Sequence, residues 1–262
     1  VTSKKEGDTL KKWVDREVKR FTERYVPEYQ KVESPKELTI DGNPAIEVRT
    51  GNTYDQTNWD ASDSNHLIKG DYKYEIAFQF DKKDDLSETF LQSILNSVQI
   101  TKPSSSLGTI KDSYDDYDRS KMRSVKNKNY GYTLQVPEEW KADTRKSTKD
   151  FQAFTYMTGA FFVVGTDIKD LTPQETIQKF KDGIGTKVKA SDIKETENRT
   201  ETINGVTAVW VVWEYKDVVT TTISFIKNGT TYMISDSHSK ATNTAFMKKQ
   251  ISDTMKSFQS SN

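Results

Sequence analysis

The sequence predicts an α+β chain of two tandem domains, each an antiparallel β-sheet packed with α-helices, the first lacking its N-terminal strands. Three observations predict this. Segments that alternate apolar and polar residues, such as Tyr72–Phe80, sit among segments with helical periodicity. The order helix, hairpin, strands, closing helix occurs twice. A Ser/Pro-rich and then acidic stretch separates the two runs, so domains are expected over 1–101 and 127–262, with a linker over 102–126.

Each element has a local reason. A helix over 8–25 is expected, with Asp8 as N-cap and Leu10, Trp13, Val14, Val18, Phe21 and Tyr25 on one face. Pro27 ends it. Leu38–Ile40, the turn Asp41-Gly42 and Ala45–Arg49 read as a hairpin. Residues 51–67 are rich in turn formers and read as a polar loop. Tyr72–Phe80 reads as a strand with one buried face. A second helix over 86–98 would bury Leu86, Phe90, Leu91, Ile94, Leu95 and Val98.

The second half opens with a strand from Tyr130 that ends at Pro137, followed by strands over 151–157 and 160–166. Thr172-Pro173 sets an N-cap and a proline at the first helical position, opening a helix over 173–183. Gly183-Ile-Gly185 reads as its stop. Asn204-Gly205 is a hairpin turn joining strands 194–203 and 207–215. Trp210 and Trp213 lie an odd number of residues apart, so they face opposite sides of one strand. Strands 218–227 and 230–236 and a helix over 241–258 complete the order, the helix burying Phe246, Met247, Ile251, Met255 and Phe258.

The repeat can be followed residue by residue. Thr39-Ile-Asp-Gly42 falls on Thr202-Ile-Asn-Gly205 at an offset of 163. Thr9 then falls on Thr172, Val14 on Ile177, Ala45-Ile46 on Ala208-Val209 and Val48 on Val211. After the polar loop the offset shortens. Tyr74 and Ile76 meet Tyr232 and Ile234, and Phe90-Leu91 meets Phe246-Met247. Periods this long mean tandem domains rather than a solenoid. At the first offset Val1 corresponds to Val164, so the first domain has no counterpart of residues 130–163. Either the natural chain extends upstream and this is a fragment of it, or the first domain manages with a smaller sheet. An incomplete sheet leaves an open edge that invites pairing with another chain. Such an edge, or a strand-mediated contact there, is expected in the first domain.

Composition bounds function. The chain has 262 residues, 39 Lys+Arg against 39 Asp+Glu, and no cysteine. Thiol chemistry, disulfides and cysteine zinc sites are excluded. A balanced charge argues against a dedicated nucleic-acid binder. The hydrophobic fraction, 33%, suits thin sheet-and-helix layers better than one deep core. Nothing approaches the roughly 20 apolar residues of a membrane-spanning helix. Abundant Lys, Thr, Ser, Asn and Asp match an exported protein of a Gram-positive bacterium. The chain is expected to begin after processing and to be secreted or lipid-anchored on the outer face of the membrane.

The second half is similar to a known family. The strand Tyr130-Gly-Tyr-Thr-Leu-Gln-Val-Pro-Glu-Glu-Trp140, the hairpin at Asn204-Gly205, the strand Gly229-Thr-Thr-Tyr-Met-Ile and the helix with Phe246 and Phe258 resemble the PsbP-like fold. That family includes PsbP of photosystem II and DcrB-type bacterial lipoproteins. The resemblance covers about half the chain directly and the first half through the repeat. It implies an antiparallel sheet between helices and a mostly non-enzymatic role as a partner of other proteins. It carries over no catalytic motif and no cofactor.

Candidate chemistry is sparse. His66 lies near Trp59, Asp60 and Asp63, and would serve as a metal ligand or a base if it met a carboxylate; the plainer reading is an exposed loop histidine. Tyr54 and Trp59 either stack on a sugar, anchor a protein partner, or tuck the loop onto its own domain. Asp112, Asp115, Asp116 and Asp118 would suit weak calcium binding, but they lack the glycine and distal Glu of an EF-hand, and a solvated linker is the expected reading. His238 in Ser235-Asp-Ser-His-Ser239 has triad-like neighbours without a nucleophile elbow, so capping by the Ser and Asp is expected. The leading function is a non-catalytic envelope binding or scaffolding protein. The alternative is a cell-wall glycan module using the loop aromatics, with an enzyme third.

Overall fold

A computed structural model of the chain describes residues 1–80, 85–104, 108–112, 118–166, 171–185 and 189–260. The chain is α+β and divides into two compact units, Val1–Tyr117 and Asp118–Asn262.

The first unit comprises β1 (Thr2–Ser3), α1 (Leu10–Thr22), β2 (Gln30–Val32), β3 (Lys36–Ile40), β4 (Asn43–Thr53), β5 (Trp59–Lys69), β6 (Tyr72–Phe80) and α2 (Asp85–Ser97). The strands form one antiparallel sheet in the order β1-β6-β5-β4, with β2 and β3 both pairing β4. Alternation sends successive side chains to opposite faces. One face carries Ile40, Ala45, Leu67 and Tyr74, which pack with Leu95 of α2. The other carries Val48 and His66 toward Trp13 of α1.

Several expectations are corrected here. The stretch 51–67 is not a loop: β4 and β5 run through it, and only residues 54–58 turn. Polar residues can line a strand when their partners are built into the sheet, as Asn65 and Asp63 show by bonding each other at 3.0 Å. Thr9, not Asp8, caps α1, its hydroxyl accepting from the Lys12 N–H. Asp8 instead accepts two hydrogen bonds from Arg16. Phe90, expected inward, is 62% exposed. Leu86 has a side chain outside the described set.

The second unit comprises β7 (Met122–Asn127), β8 (Tyr132–Pro137), β9 (Lys141–Ala142), β10 (Phe151–Tyr156), β11 (Gly159–Thr166), α3 (Pro173–Gly185), β12 (Lys194–Ile203), β13 (Val206–Tyr215), β14 (Val218–Lys227), β15 (Thr230–Ser239), α4 (Ala245–Lys256) and β16 (Gln259–Ser260). A seven-stranded sheet runs β12-β13-β14-β15-β11-β10-β9, and a three-stranded sheet runs β16-β8-β7. The expected linker 102–126 is therefore shorter: β7 occupies its end, and Ile110 is hydrogen-bonded to Ser3 within the first unit. Helix α3 continues through Gly185, past the expected stop. Trp210 and Trp213 separate as their spacing requires, Trp210 into the α4 side and Trp213 against Ile177 of α3.

The pairing registers make the repeat exact in geometry. Ile40↔Asn43 through Lys36↔Glu47 matches Ile203↔Val206 through Arg199↔Trp210 at the offset of 163. Both turns hold Asp41-Gly42 and Asn204-Gly205 at positive φ, as a two-residue hairpin requires. The β5–β6 and β14–β15 ladders match at an offset of 158, because the β4–β5 hairpin carries five additional residues, 54–58, at its tip.

One edge breaks the correspondence. In the second unit, β15 is paired along Thr231–His238 by β11, and β10 and β9 continue the sheet. In the first unit, β6 has only the two-residue β1 on that side, opposite Tyr72 and Lys73. Among the described residues no strand lies outside Tyr74–Phe80. Among the described residues the small sheet also lacks a counterpart. In the second unit one core cluster joins Tyr132, Leu134 and Val136 of β8 to Met247, Ile251 and Met255 of α4. The Arg119 guanidinium lies 4.5 Å from the Phe246 ring centroid. Phe90, the counterpart of Phe246, has no such cover among the described residues.

Candidate functional site

The residues singled out in the sequence are dispersed. His66 lies in β5, is 2% exposed, and meets Trp13 edge-on at 4.8 Å. Its Nε2 is 3.8 Å from Glu75. Burial pushes the imidazole pKa down, opposed in part by Glu75. His66 is thus a core residue of the α1 layer, not an exposed loop histidine. A base held neutral in the fold but free to protonate when unfolded makes stability fall with acid. Its contribution is complete above about pH 6.5, the unfolded value. It is lost as pH falls from there toward the folded value. The expected result is that H66F flattens the acid side of the first unit's stability profile. In urea titrations, the loss of stability between pH 7.0 and 5.5 should differ between the two proteins by up to about 1.3 kcal/mol. Parallel profiles would contradict the burial argument.

Tyr54 and Trp59 do not form one platform. The Tyr54 hydroxyl is 3.3 Å from the Tyr25 hydroxyl, and the two rings meet edge-on on the α1 side. Trp59 lies on the α2 side, lining a groove of about 790 Å³ with Arg49, Asp63 and Phe80. The Lys31 ammonium sits 3.9 Å from the Trp59 ring centroid, so one ring face is already occupied. Arg49 is held by carboxylates: its Nε donates to Asp63 at 3.2 Å, and its guanidinium also donates to Glu47 at 2.8 Å and Glu88 at 2.6 Å.

The acidic tract does not assemble a metal site among the described residues. Asp112 accepts from the fully buried ammonium of Lys73 at 2.7 Å. Asp118 accepts from the backbone and hydroxyl of Ser120, which hold its carboxyl below the usual range. Asp115 and Asp116 lie outside the described residues. No group of three or more His, Asp or Glu poised for an ion occurs among the described residues.

The sequence reading missed a buried polar chain in the second unit. Asp236, 0% exposed, accepts from Tyr156 Oη at 2.5 Å and from His238 Nδ1 at 2.6 Å. Ionised Asp is acceptor-only, so the His238 tautomer must carry its proton on Nδ1. His238 Nε2 lies 3.3 Å from Asn243 Oδ1; with the ring proton on Nδ1 it is an acceptor, and it gains a hydrogen bond only from the Asn243 amide turned to present its NH2 group. The Tyr156 hydroxyl pKa is pushed well up, first by burial and then by the Asp236 charge. Asp236 is therefore not a cap. Ser239 caps the short turn at 240–242 and Thr244 caps α4. Gly159, opposite His238 in the ladder, makes the arrangement possible: a Cβ there would come within 2.6 Å of the Tyr156 ring and 2.7 Å of the Ser237 carbonyl. The signal was present as Asp-x-His, which shares one face of a strand. The strand was expected to stop at 236.

His238 also lines a groove of about 420 Å³ with Trp210, Thr221 and Val219. It occupies the place of the Trp59 groove, since Thr221 corresponds to Asp63, Val219 to Ala61 and His238 to Phe80 in the matched ladders. The histidine–carboxylate contact that an enzyme requires is thus met at His238. Both ring nitrogens, however, face protein groups of the same buried chain.

No protein-family model and no curated protein matches the chain. Solved structures similar to it include PsbP, the family that its second half resembles in sequence. The cyanobacterial PsbP of Synechocystis sp. PCC 6803 is 11% identical, covering 57% of this chain and 98% of its own, at a TM-score of 0.44. A protein of unknown function from Pseudomonas aeruginosa is 11% identical over 52% of this chain and 94% of its own, at 0.34. A Bacteroides thetaiotaomicron structure is 10% identical over 50% of this chain and 46% of its own, at 0.33. Among the described residues no helix is long and apolar enough to cross a membrane.

Proposed function

We propose that the chain is a non-catalytic extracytoplasmic binding protein of the bacterial envelope, which holds a partner protein by adding one of its strands to the outer edge of β6. One observation carries this reading. The same strand of the repeat is fully paired in the second unit and bare over Tyr74–Phe80 in the first, among the described residues. Natural sheets blunt or cover such edges unless pairing is their use. Phe90 adds weight, because a phenylalanine left in water forgoes about 2 kcal/mol of burial. The extracytoplasmic part rests on composition, chiefly the polar, cysteine-free chain. The glycan reading loses support from the separation of Tyr54 and Trp59.

The test is amide hydrogen exchange on the full chain. The outward amides of Tyr74–Phe80 should exchange at least about 100-fold faster than those of Thr231–His238, which are doubly paired. Equal protection of the two strands overturns the proposal.

A further inference from the structure

Resting on that reading, the second unit also says what kind of strand fits. We infer that the β6 edge takes an amphipathic strand, apolar toward α2 and polar toward α1.

In the β11–β15 ladder, Val163 lies opposite Ile234 and Phe161 opposite Asp236. Both Val163 and Phe161 are fully buried in the core on the α4 side. The residues opposite them, Ile234 and Asp236, match Ile76 and Phe78 in the first unit, which pack at the border of the α2-side core. A partner side chain opposite either one is buried against apolar surface, so it must be apolar.

The other face differs. Phe162, opposite Ser235, packs edge-on against Phe180 of α3 at 5.4 Å. Phe180 and Ile184 complete the apolar α3 layer. At the repeat offset, Phe180 corresponds to Glu17 and Ile184 to Phe21. In the first unit, Trp13 and Phe21 line a groove of about 450 Å³ beside this edge together with the charged Glu17, Arg20, Lys73 and Glu75. Glu17 accepts from Arg20 at 2.8 Å, and burial already raises its pKa. A ring placed where Phe162 sits would strip water from this carboxylate and its neighbours with no bond in return. A polar side chain there, opposite Ala77, or one opposite Glu75, can hydrogen-bond instead. The chain's own β11, apolar on both faces, is thereby disfavoured at β6, which is specificity by repulsion.

Two synthetic peptides test this on the full chain: residues 159–166, and the same peptide carrying F162Q and V164T. The doubly substituted peptide should slow the outward amides of Tyr74–Phe80 at least tenfold more than the parent does. Glu17→Phe in the full chain should reverse the preference. Equal slowing by both peptides, or an unchanged preference in E17F, overturns the polarity assignment and leaves strand addition standing. If neither peptide slows exchange, strand addition itself fails. Protection of Tyr74–Phe80 in the free chain that is lost on dilution marks a second copy as the occupant and also overturns the inference.

Discussion

Asp236→Ala is expected to lower the stability of the second unit by about 2–6 kcal/mol, the cost of leaving two buried hydrogen-bonding groups without their acceptor. The carboxylate is 0% exposed and accepts from Tyr156 and His238 at 2.5 and 2.6 Å. Its loss leaves a buried hydroxyl and a buried imidazole N–H without an acceptor. Each orphaned group costs about 1–3 kcal/mol. Asp236→Asn should cost less, because the amide oxygen still accepts one of the two bonds. Urea unfolding followed by tryptophan fluorescence reads this directly, since Trp140 stacks on Tyr156 at 4.8 Å. An alanine variant within about 1 kcal/mol of wild type would show that the chain of bonds is not a structural element. A role in chemistry at His238 would then need reconsideration.

Lys73→Ala should cost the first unit a similar amount, about 3–5 kcal/mol. The ammonium is 0% exposed, bonds Asp112 at 2.7 Å and lies 5.2 Å from the Trp13 ring centroid. Removing it leaves Asp112, itself only 13% exposed at the side chain, without its cation. The double variant K73M/D112N should recover most of the loss, because it also removes the carboxylate that Lys73 balances. Trp13 fluorescence in a W59F background separates this transition from that of the second unit. If K73A and K73M/D112N are equally unstable, the loss is one of packing rather than charge. The same pair explains why the acidic tract does not read as a calcium site at this position: Asp112 is already neutralised by a lysine from β6.

The legible part of the fold was whatever depends on neighbours in sequence. The offset of 163 predicted that two hairpins share a turn and a register, and Ile40↔Asn43 and Ile203↔Val206 share it. The odd spacing of Trp210 and Trp213 placed them on opposite faces. Capping at Thr172 followed from Thr-Pro, and the structure adds the reciprocal bond from Glu175. Illegible was whatever depends on a partner far along the chain. The polar run 51–67 looked like a loop because the pairing that makes it two strands lies across the sheet, as where Asp63 finds Arg49. Asp236 looked like a cap because Tyr156, eighty residues earlier, cannot be seen from its neighbours.

Periodicity, turn residues and the repeat by themselves determined two α+β units and the helix, hairpin and closing helix that both contain. These are local or self-similar properties, written in spacing that any strand or helix must obey. Only the tertiary structure decided that His66 is core, that Tyr54 and Trp59 part to opposite faces, and that the open edge expected from the repeat falls, among the described residues, on Tyr74–Phe80 of β6. Each of these depends on which distant residues desolvate a group or satisfy its hydrogen bonds. That is set by packing, and it has no signature within a window of neighbouring residues.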